Sequence, residues 1–169
     1  MRTRAPWRRL AAWAIDCLCI LGWVAVTAAV GIPLYLAGAV RPSGMALLNV
    51  IGALVIVVPV TLGLAGLEHH FGATAGKRAL GLRVEAAGTR PSFPRALLRN
   101  ALKVALPWLI GHAAVYAVVG DPSPAVSWLL VGAYVLPVLY VVMLFVGSGR
   151  TPYDRISGSA VVVGFVRRR

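Results

Sequence analysis

Acidic side chains are scarce in this sequence: its 169 residues include only five Asp and Glu, and charged residues of both signs make up 13%. Soluble globular domains usually contain about 25% charged and about 45–50% apolar residues. Here 59% of the residues are hydrophobic, which excludes intrinsic disorder. The 17 Lys and Arg residues give a formal net charge of +12, but the apolar excess argues against a soluble nucleic-acid binder. The composition therefore predicts a small integral membrane protein with basic loops.

Side chains that carry catalytic or metal chemistry are also few. Ser, His and Asp are too scattered to predict a catalytic triad. Glu68, His69 and His70 are adjacent, but neighbouring histidines on a helix point about 100° apart and no further ligand converges on them. Cys17 and Cys19 project from different helix faces and cannot readily pair with each other. We therefore predict no enzymatic activity, no cofactor and no metal site.

Long apolar runs occupy most of the chain. A membrane-spanning helix needs about 20 mostly apolar residues. Between these runs and after them remain a loop of residues 68–100 and a tail of residues 147–169. The sequence therefore predicts a single all-α integral membrane domain over residues 1–169. Its four transmembrane helices are predicted at about residues 11–39, 45–67, 101–119 and 126–146.

The basic residues lie almost entirely on one side of the predicted membrane. Sixteen of the 17 are in the N-terminal segment, the 68–100 loop with the start of the third run, or the tail. Arg41 alone lies in the turn between the first two runs. Because Lys and Arg concentrate on the cytoplasmic side, and an even number of spans returns the chain to that side, we predict cytoplasmic N- and C-termini.

Two short segments of the predicted cytoplasmic side have the character of strands. Apolar and polar residues alternate over residues 80–85, and residues 160–166 are rich in valine. Ala87-Gly88-Thr89 would turn the chain after the first segment. Since each strand alone would leave an unpaired edge, we predict a small cytoplasmic two-stranded β element that joins the loop to the tail.

Asp16 is an ionisable residue within the first predicted span, and such residues are candidates for function. Its depth in the membrane depends on where that span enters. Arg9 lies seven residues earlier, about 10 Å away along a helix, and its side chain leans away from Asp16. A direct pair is not expected, which leaves Arg9 free to meet Asp154. Basic residues of other segments that could pair with Asp16 are Lys77, Arg78, Arg99 and Arg155.

Asp16 admits two interpretations. In the structural one, a set of ion pairs ties the first span to the cytoplasmic loop and tail. In the functional one, Asp16 is a cation or proton site within the membrane. Transporters usually place polar groups near the membrane midplane, where this sequence offers little besides Asn49, Thr61 and His112. The structural interpretation is therefore favoured.

A basic stripe precedes the third span. Arg95, Arg99 and Lys103 recur every four residues on a helix that Pro94 opens, so they share one face. Such a stripe predicts contact with the anionic lipids of the inner leaflet. Positive-inside anchoring of the third span is the alternative, and it uses the same physics.

Three ordered motifs resemble the RDD family of prokaryotic integral membrane proteins. Residues 9–16, RLAAWAID, resemble the family's opening Arg…Asp motif. Residues 74–84, TAGKRALGLRV, resemble its T-x-G-K-x-x-x-G-x-x-V stretch, which an Arg-Asn pair like that at residues 99–100 follows. Residues 150–158, RTPYDRISG, resemble its closing D-x-x-x-G motif. The resemblance covers nearly the whole chain, although many members have fewer spans than the four predicted here.

By this resemblance, Arg9, Asp16 and Asp154 are the residues that give the family its name. The family has no single established activity, and some members have been proposed as cation/proton antiporters. The resemblance implies a multi-pass protein of the bacterial plasma membrane. We interpret the chain as a structural or accessory membrane component, with a small cation/proton antiporter using Asp16 as the alternative. The expected partners are the lipid bilayer and anionic lipids, with a homo-oligomer or other membrane proteins left open and no nucleic acid.

Overall fold

A computed structural model describes residues 5–120 and 124–164 of the chain. Within these residues, four helices are long and apolar enough to cross a membrane, and a two-stranded sheet accompanies them. The predicted four-helix architecture with a small β element is therefore confirmed. The last residues of the predicted second strand and the arginines at 167–169 lie outside the described residues.

The helices and strands follow one another along the chain in the predicted order. Two of the long helices each contain a π-helical turn, which divides the helix into an N-terminal and a C-terminal part. Helix α1 covers Pro6–Leu36; α2 covers Met45–Gly52, the π turn Ala53–Val57 and Val58–Phe71; α3 covers Ala75–Ala79; and β1 covers Leu82–Glu85. Helix α4 covers Phe93–Asn100, the π turn Ala101–Ala105 and Leu106–Gly120; α5 covers Pro124–Phe145; α6 covers Pro152–Ile156; and β2 covers Ala160–Val163.

The long helices extend further into the predicted 68–100 loop than the apolar runs indicated. Helix α2 continues to Phe71, and α4 begins at Phe93, where Pro94 is predicted to open a helix. Polar and charged residues at these helix ends interrupt the hydropathy pattern, but they remain helical because other parts of the chain bind them. The two extensions bring Glu68 and Arg99 into the helical bundle.

Prolines explain both π turns. Proline has no N–H to donate and its ring collides with the carbonyl four residues earlier, so it frees a helical carbonyl. Pro59 follows the π turn Ala53–Val57 by two residues, and the carbonyl four residues before it is that of Val55. The indole nitrogen of Trp23 on α1 donates to this carbonyl at 3.0 Å. A neighbouring helix thus satisfies the freed group, as membrane helices require.

A related arrangement occurs in α4, where the carbonyl with an outside donor lies five residues, not four, before the proline. Pro107 follows the π turn Ala101–Ala105 by two residues. A π-helical bond to the Leu102 carbonyl would come from residue 107, which has no N–H to give. The hydroxyl of Tyr140 on α5 donates to this carbonyl instead, at 2.8 Å. These two hydrogen bonds connect α1 to α2 and α5 to α4.

The small sheet packs against the N-terminal part of α1. Strands β1 and β2 pair antiparallel, with Leu82 opposite Val163. Leu82, Val84 and Val161 are buried in one apolar cluster with Ala12 of α1. The sheet therefore joins the chain beyond α5 to the first helix, at the end of the bundle that carries α3 and α6.

Candidate functional site

Six charged side chains of alternating sign form a continuous buried network at the end of the bundle where α3, α6 and the sheet lie. Each of the six residues exposes 9% or less of its surface. Successive members are joined by ion pairs with nitrogen–oxygen distances between 2.6 and 3.9 Å. In order, the members of this charge network are Arg9, Asp154, Arg99, Glu68, Lys77 and Asp16.

Asp154 is held between two arginines. Its Oδ2 accepts from Nη2 of Arg9 at 2.6 Å, and its Oδ1 accepts from Nε of Arg99 at 3.0 Å. The carboxylate also accepts the N–H of Thr151, the residue before the first turn of α6, at 3.3 Å. Arg9 donates in addition to the carbonyl of Gly149. Arg9 of α1 thereby binds both ends of the Gly149–Asp154 segment.

The electrostatic surroundings of Asp154 favour its charged form. Burial by itself would raise the pKa of this carboxyl. The positive charges of Arg99 and Arg9, with the hydrogen bonds to the carboxylate, outweigh burial and hold the pKa of Asp154 below its ordinary value. The neighbouring Tyr153 shows the opposite behaviour: burial and the Asp154 charge raise the pKa of its hydroxyl.

Glu68 is the centre of the charge network. Its Oε1 accepts from Nη1 of Arg99 at 2.6 Å and from Nζ of Lys77 at 2.9 Å. Its Oε2 accepts from the amide nitrogen of Asn100 at 2.9 Å. Sequence reasoning missed this role because it considered Glu68 only as a possible metal ligand. The sequence does contain one signal of this role: Glu68 is a carboxylate at the end of an apolar run.

Asp16 binds the segment that contains the T-x-G-K motif. Its Oδ2 accepts from the hydroxyl of Thr74 at 2.6 Å, and its Oδ1 accepts from the backbone N–H of Gly76 at 2.8 Å. Lys77 lies further away, with Nζ 3.9 Å from Oδ2. Asp16 thus satisfies an N–H in the first turn of α3 that has no partner within that helix. Of these three motif residues, Lys77 belongs to the charge network, and Thr74 and Gly76 bind its member Asp16.

Gly76 must be glycine because α3 approaches α1 closely. A Cβ atom at this position would lie 2.0 Å from the carbonyl oxygen of Ala12 and 3.0 Å from Oδ1 of Asp16. No side chain fits at such distances. The absence of a side chain at Gly76 is what lets its N–H reach the Asp16 carboxylate.

The charge network begins and ends on the same helix. Arg9 and Asp16 both belong to α1, and the chain of contacts between them runs through α6, α4, α2 and α3. Arg9 and Asp16 do not pair with each other directly. The arrangement encircles this end of the bundle and joins five elements that are distant in sequence. The charges of its three carboxylates and three cations balance one another.

The candidate partners of Asp16 have different positions. Of the four, Lys77 alone lies within 4.0 Å of Asp16 among the described residues. Arg99 is not its partner, because it binds Glu68 and Asp154 instead. Arg78 and Arg155 are exposed and take no part in the charge network. The sequence alone could not show which residue pairs with Asp16, because adjacent residues such as Lys77 and Arg78 point in different directions on α3.

The proposed basic stripe is wrong for Arg99, whose side chain is 1% exposed and unavailable to lipid headgroups. Arg99 reaches Glu68 and Asp154 from the regular part of the helix, before the π turn. The π turn Ala101–Ala105 changes the helical register only between Arg99 and Lys103. Lys103 is half-buried, and its Nζ lies 4.0 Å from the ring centroid of Trp13. Arg95 is exposed, and its contact with anionic lipids stays a prediction.

A cavity of about 470 Å³ adjoins the charge network between α1, α4 and α5. Its volume lies within the range of small-molecule sites, about 300–1,000 Å³. Charged groups line one end of it, and the remaining wall is mainly aliphatic and aromatic. The charged lining residues are Arg9, Asp16, Lys77 and Lys103; the others include Trp13, Ile20, Leu21, Trp108, Val141 and Leu144.

The described residues contain no group of three or more His, Cys, Asp or Glu side chains placed to hold a metal ion. Nδ1 of His69 lies 3.0 Å from the carbonyl of Pro91, and its ring contacts Phe93 edge-on. His69 therefore belongs to the packing between α2 and the start of α4.

Comparison with known proteins agrees with the motifs. No curated protein and no solved structure matches the chain. The RDD family model matches residues 3–158, which include every member of the charge network and end before β2. Arg9, Asp16 and Asp154, which the resemblance implies are the residues that name the family, are all buried in that network. The chain is therefore a member of the RDD family, with four helices able to span a membrane.

Proposed function

We propose that this protein is a structural or accessory component of the bacterial plasma membrane, in which the charge network locks one end of the bundle. The proposal rests on the compensation of charge within that network. Six buried charges alternate in sign, and every carboxylate is bound by side chains or backbone of another segment. The bias of basic residues supports a cytoplasmic location for this end.

The alternative, a cation/proton antiporter, requires Asp16 to exchange its partners for a proton or a cation. Both oxygens of Asp16 already accept hydrogen bonds, from Thr74 and from Gly76. A passing cation would have to break two contacts that also fix α3 against α1. These contacts support the structural role, although Asp16 also reaches the cavity wall.

Ion flux in proteoliposomes separates the two functions. We expect the wild-type protein to exchange Na⁺, K⁺ or Li⁺ for protons no faster than protein-free liposomes do. Asp16→Asn should instead reduce the hydrogen-exchange protection of residues 72–92 and 147–164, because the charge network loses one end. Glu85→Gln is the matched control, since Glu85 lies on β1 outside the network. Exchange by the wild type that disappears in folded Asp16→Asn would refute the structural proposal.

A further inference from the structure

Lys103 carries the one charge that the cavity and the charge network leave uncompensated among the described residues. The network contains three carboxylates and three cations, and Lys103 adds a fourth cation beside it. Arg9 and Lys77, which also line the cavity, are bound to Asp154 and Glu68. Lys103 forms no such ion pair within residues 5–120 and 124–164. A protonated Lys103 therefore gives the cavity an excess positive charge at its polar end.

The contact with Trp13 does not remove this excess. The indole ring attracts the Lys103 ammonium through its π electrons at 4.0 Å, but it carries no net charge. A half-buried ammonium next to apolar walls has lost part of its hydration, which is costly without an anion. An anionic group entering the cavity would restore electrical balance there.

The rest of the cavity suits a hydrocarbon chain. Beyond Lys103 the wall consists of side chains such as Val104, Trp108 and Leu144. Leu21 of α1 and Val141 of α5 line the cavity and are also 60% and 42% exposed, so the space opens between these two helices at the outer surface of the bundle. In a membrane that surface faces lipid. A chain could enter sideways without crossing the charge network.

We propose that this cavity binds one anionic phospholipid, with its phosphate at Lys103 and one acyl chain between α1 and α5. The charge of Lys103 selects an anionic headgroup, and the apolar walls select a molecule with a chain over free phosphate. This inference does not depend on the structural role proposed above, since a transporter could bind the same lipid.

Native mass spectrometry of the purified protein, titrated with phosphatidylglycerol or phosphatidylcholine, tests the proposal. We expect one phosphatidylglycerol per chain to bind more tightly than phosphatidylcholine. Lys103→Gln should weaken phosphatidylglycerol binding about fivefold or more, because a basic group near an anionic lipid contributes about this factor. Arg83→Gln is the matched control: it removes an exposed charge of β1 that does not line the cavity and should leave that tight binding unchanged.

A second variant tests the apolar part of the site without altering charge. Val141→Trp fills the lateral opening from an exposed position, so it should fold and should also lose the bound lipid. Thermal unfolding monitors the folding of both variants, and Val141→Trp decides the question if Lys103→Gln does not fold.

Three results would overturn the proposal. Equal binding of the two lipids would show that Lys103 does not select the headgroup. Equal losses in Arg83→Gln and Lys103→Gln would show a diffuse surface attraction. Displacement of the lipid by millimolar glycerol phosphate, which has no chain, would assign the site to free phosphate.

Discussion

Each residue of the charge network matters because its removal would leave a buried partner charge unpaired. A buried ion pair is a weak source of stability compared with well-packed apolar groups, because both charges lose hydration. Removal of one partner is nevertheless costly, because the other charge stays buried without compensation. Asp154 is one such position, since it pairs with both Arg9 and Arg99.

Asp154→Asn should lower the free energy of unfolding by about 3 kcal/mol at neutral pH, since it leaves two buried guanidinium groups without their shared carboxylate. Thermal unfolding in detergent, followed by tryptophan fluorescence, measures this. Arg155→Gln is the matched control: the residue is adjacent but exposed, and the change should stay within about 0.5 kcal/mol. Similar stabilities of the two variants would contradict a stabilising role for the ion pairs of Asp154.

The effect of Asp154→Asn on stability should depend on pH. The pKa of Asp154 is lower in the folded protein than its ordinary value of about 3.9, so its contribution is complete above that value. It is lost as the pH falls through the lower folded pKa, because the carboxyl is then protonated in both states. The difference in stability between wild type and Asp154→Asn should therefore be constant from pH 7 to about 5 and shrink below pH 4.

At the scale of the helices, polar side chains repair the backbone where proline interrupts it. Trp23 and Tyr140 each donate to a carbonyl that a proline of a neighbouring helix frees. Prolines in the apolar runs can be read from the sequence, but the donor lies on another helix and cannot.

Tyr140→Phe should destabilise the protein by about 1 kcal/mol, because the Leu102 carbonyl loses its donor. Pro107→Ala restores an N–H that can reach this region of the backbone. In that background Tyr140→Phe should cost less, with a coupling of about 0.5 kcal/mol or more in a double-mutant cycle of unfolding free energies. Tyr134→Phe, on an exposed face of α5, is the control and should have no effect. Strictly additive effects would contradict this account of the π turn.

The contact between α3 and α1 depends equally on one position. Gly76→Ala should destabilise the protein by about 3 kcal/mol or more, because its Cβ would collide with the Ala12 carbonyl and push α3 away from Asp16. Gly63→Ala is the control, since a Cβ there meets no atom within 4 Å. Both are measured by thermal unfolding. Equal tolerance of the two changes would show that α3 is not held closely against α1.

At the scale of the whole molecule, the charge network and the sheet connect the chain's two ends to its middle. The N-terminal helix binds α3 through Asp16 and the segment before α6 through Arg9, and β1 pairs with β2. Most contacts that define this end of the protein therefore join residues far apart in sequence. We expect this end to unfold as one cooperative unit.

The orientation of that unit can be measured directly. In a Cys17→Ala/Cys19→Ala background, Ser43→Cys should react with a membrane-impermeant maleimide in intact cells, because it follows α1 on the predicted outer side. Ser92→Cys, beside α4 at the end with the charge network, should react only after the membrane is permeabilised. Both serines are exposed, so accessibility within the protein does not limit labelling. The reverse pattern would overturn the predicted cytoplasmic location.

The sequence by itself determined the long helices, the pairing of the two strands and the family. Apolar runs of about 20 residues require spanning helices, and valine-rich or alternating segments require a strand partner; both follow from local composition. The motifs also pointed to Arg9, Asp16 and Asp154 without indicating how they are connected. Their importance was visible because charges are rare among apolar residues.

Only the tertiary structure decided the partners. Arg99 looked like part of a lipid-facing stripe, but it is buried against Glu68 and Asp154. Glu68 became the centre of the charge network because α2 and α4 extend beyond their apolar runs and meet there. The physical reason is that an ion pair depends on distance in space, whereas hydropathy and spacing report only on neighbours along the chain.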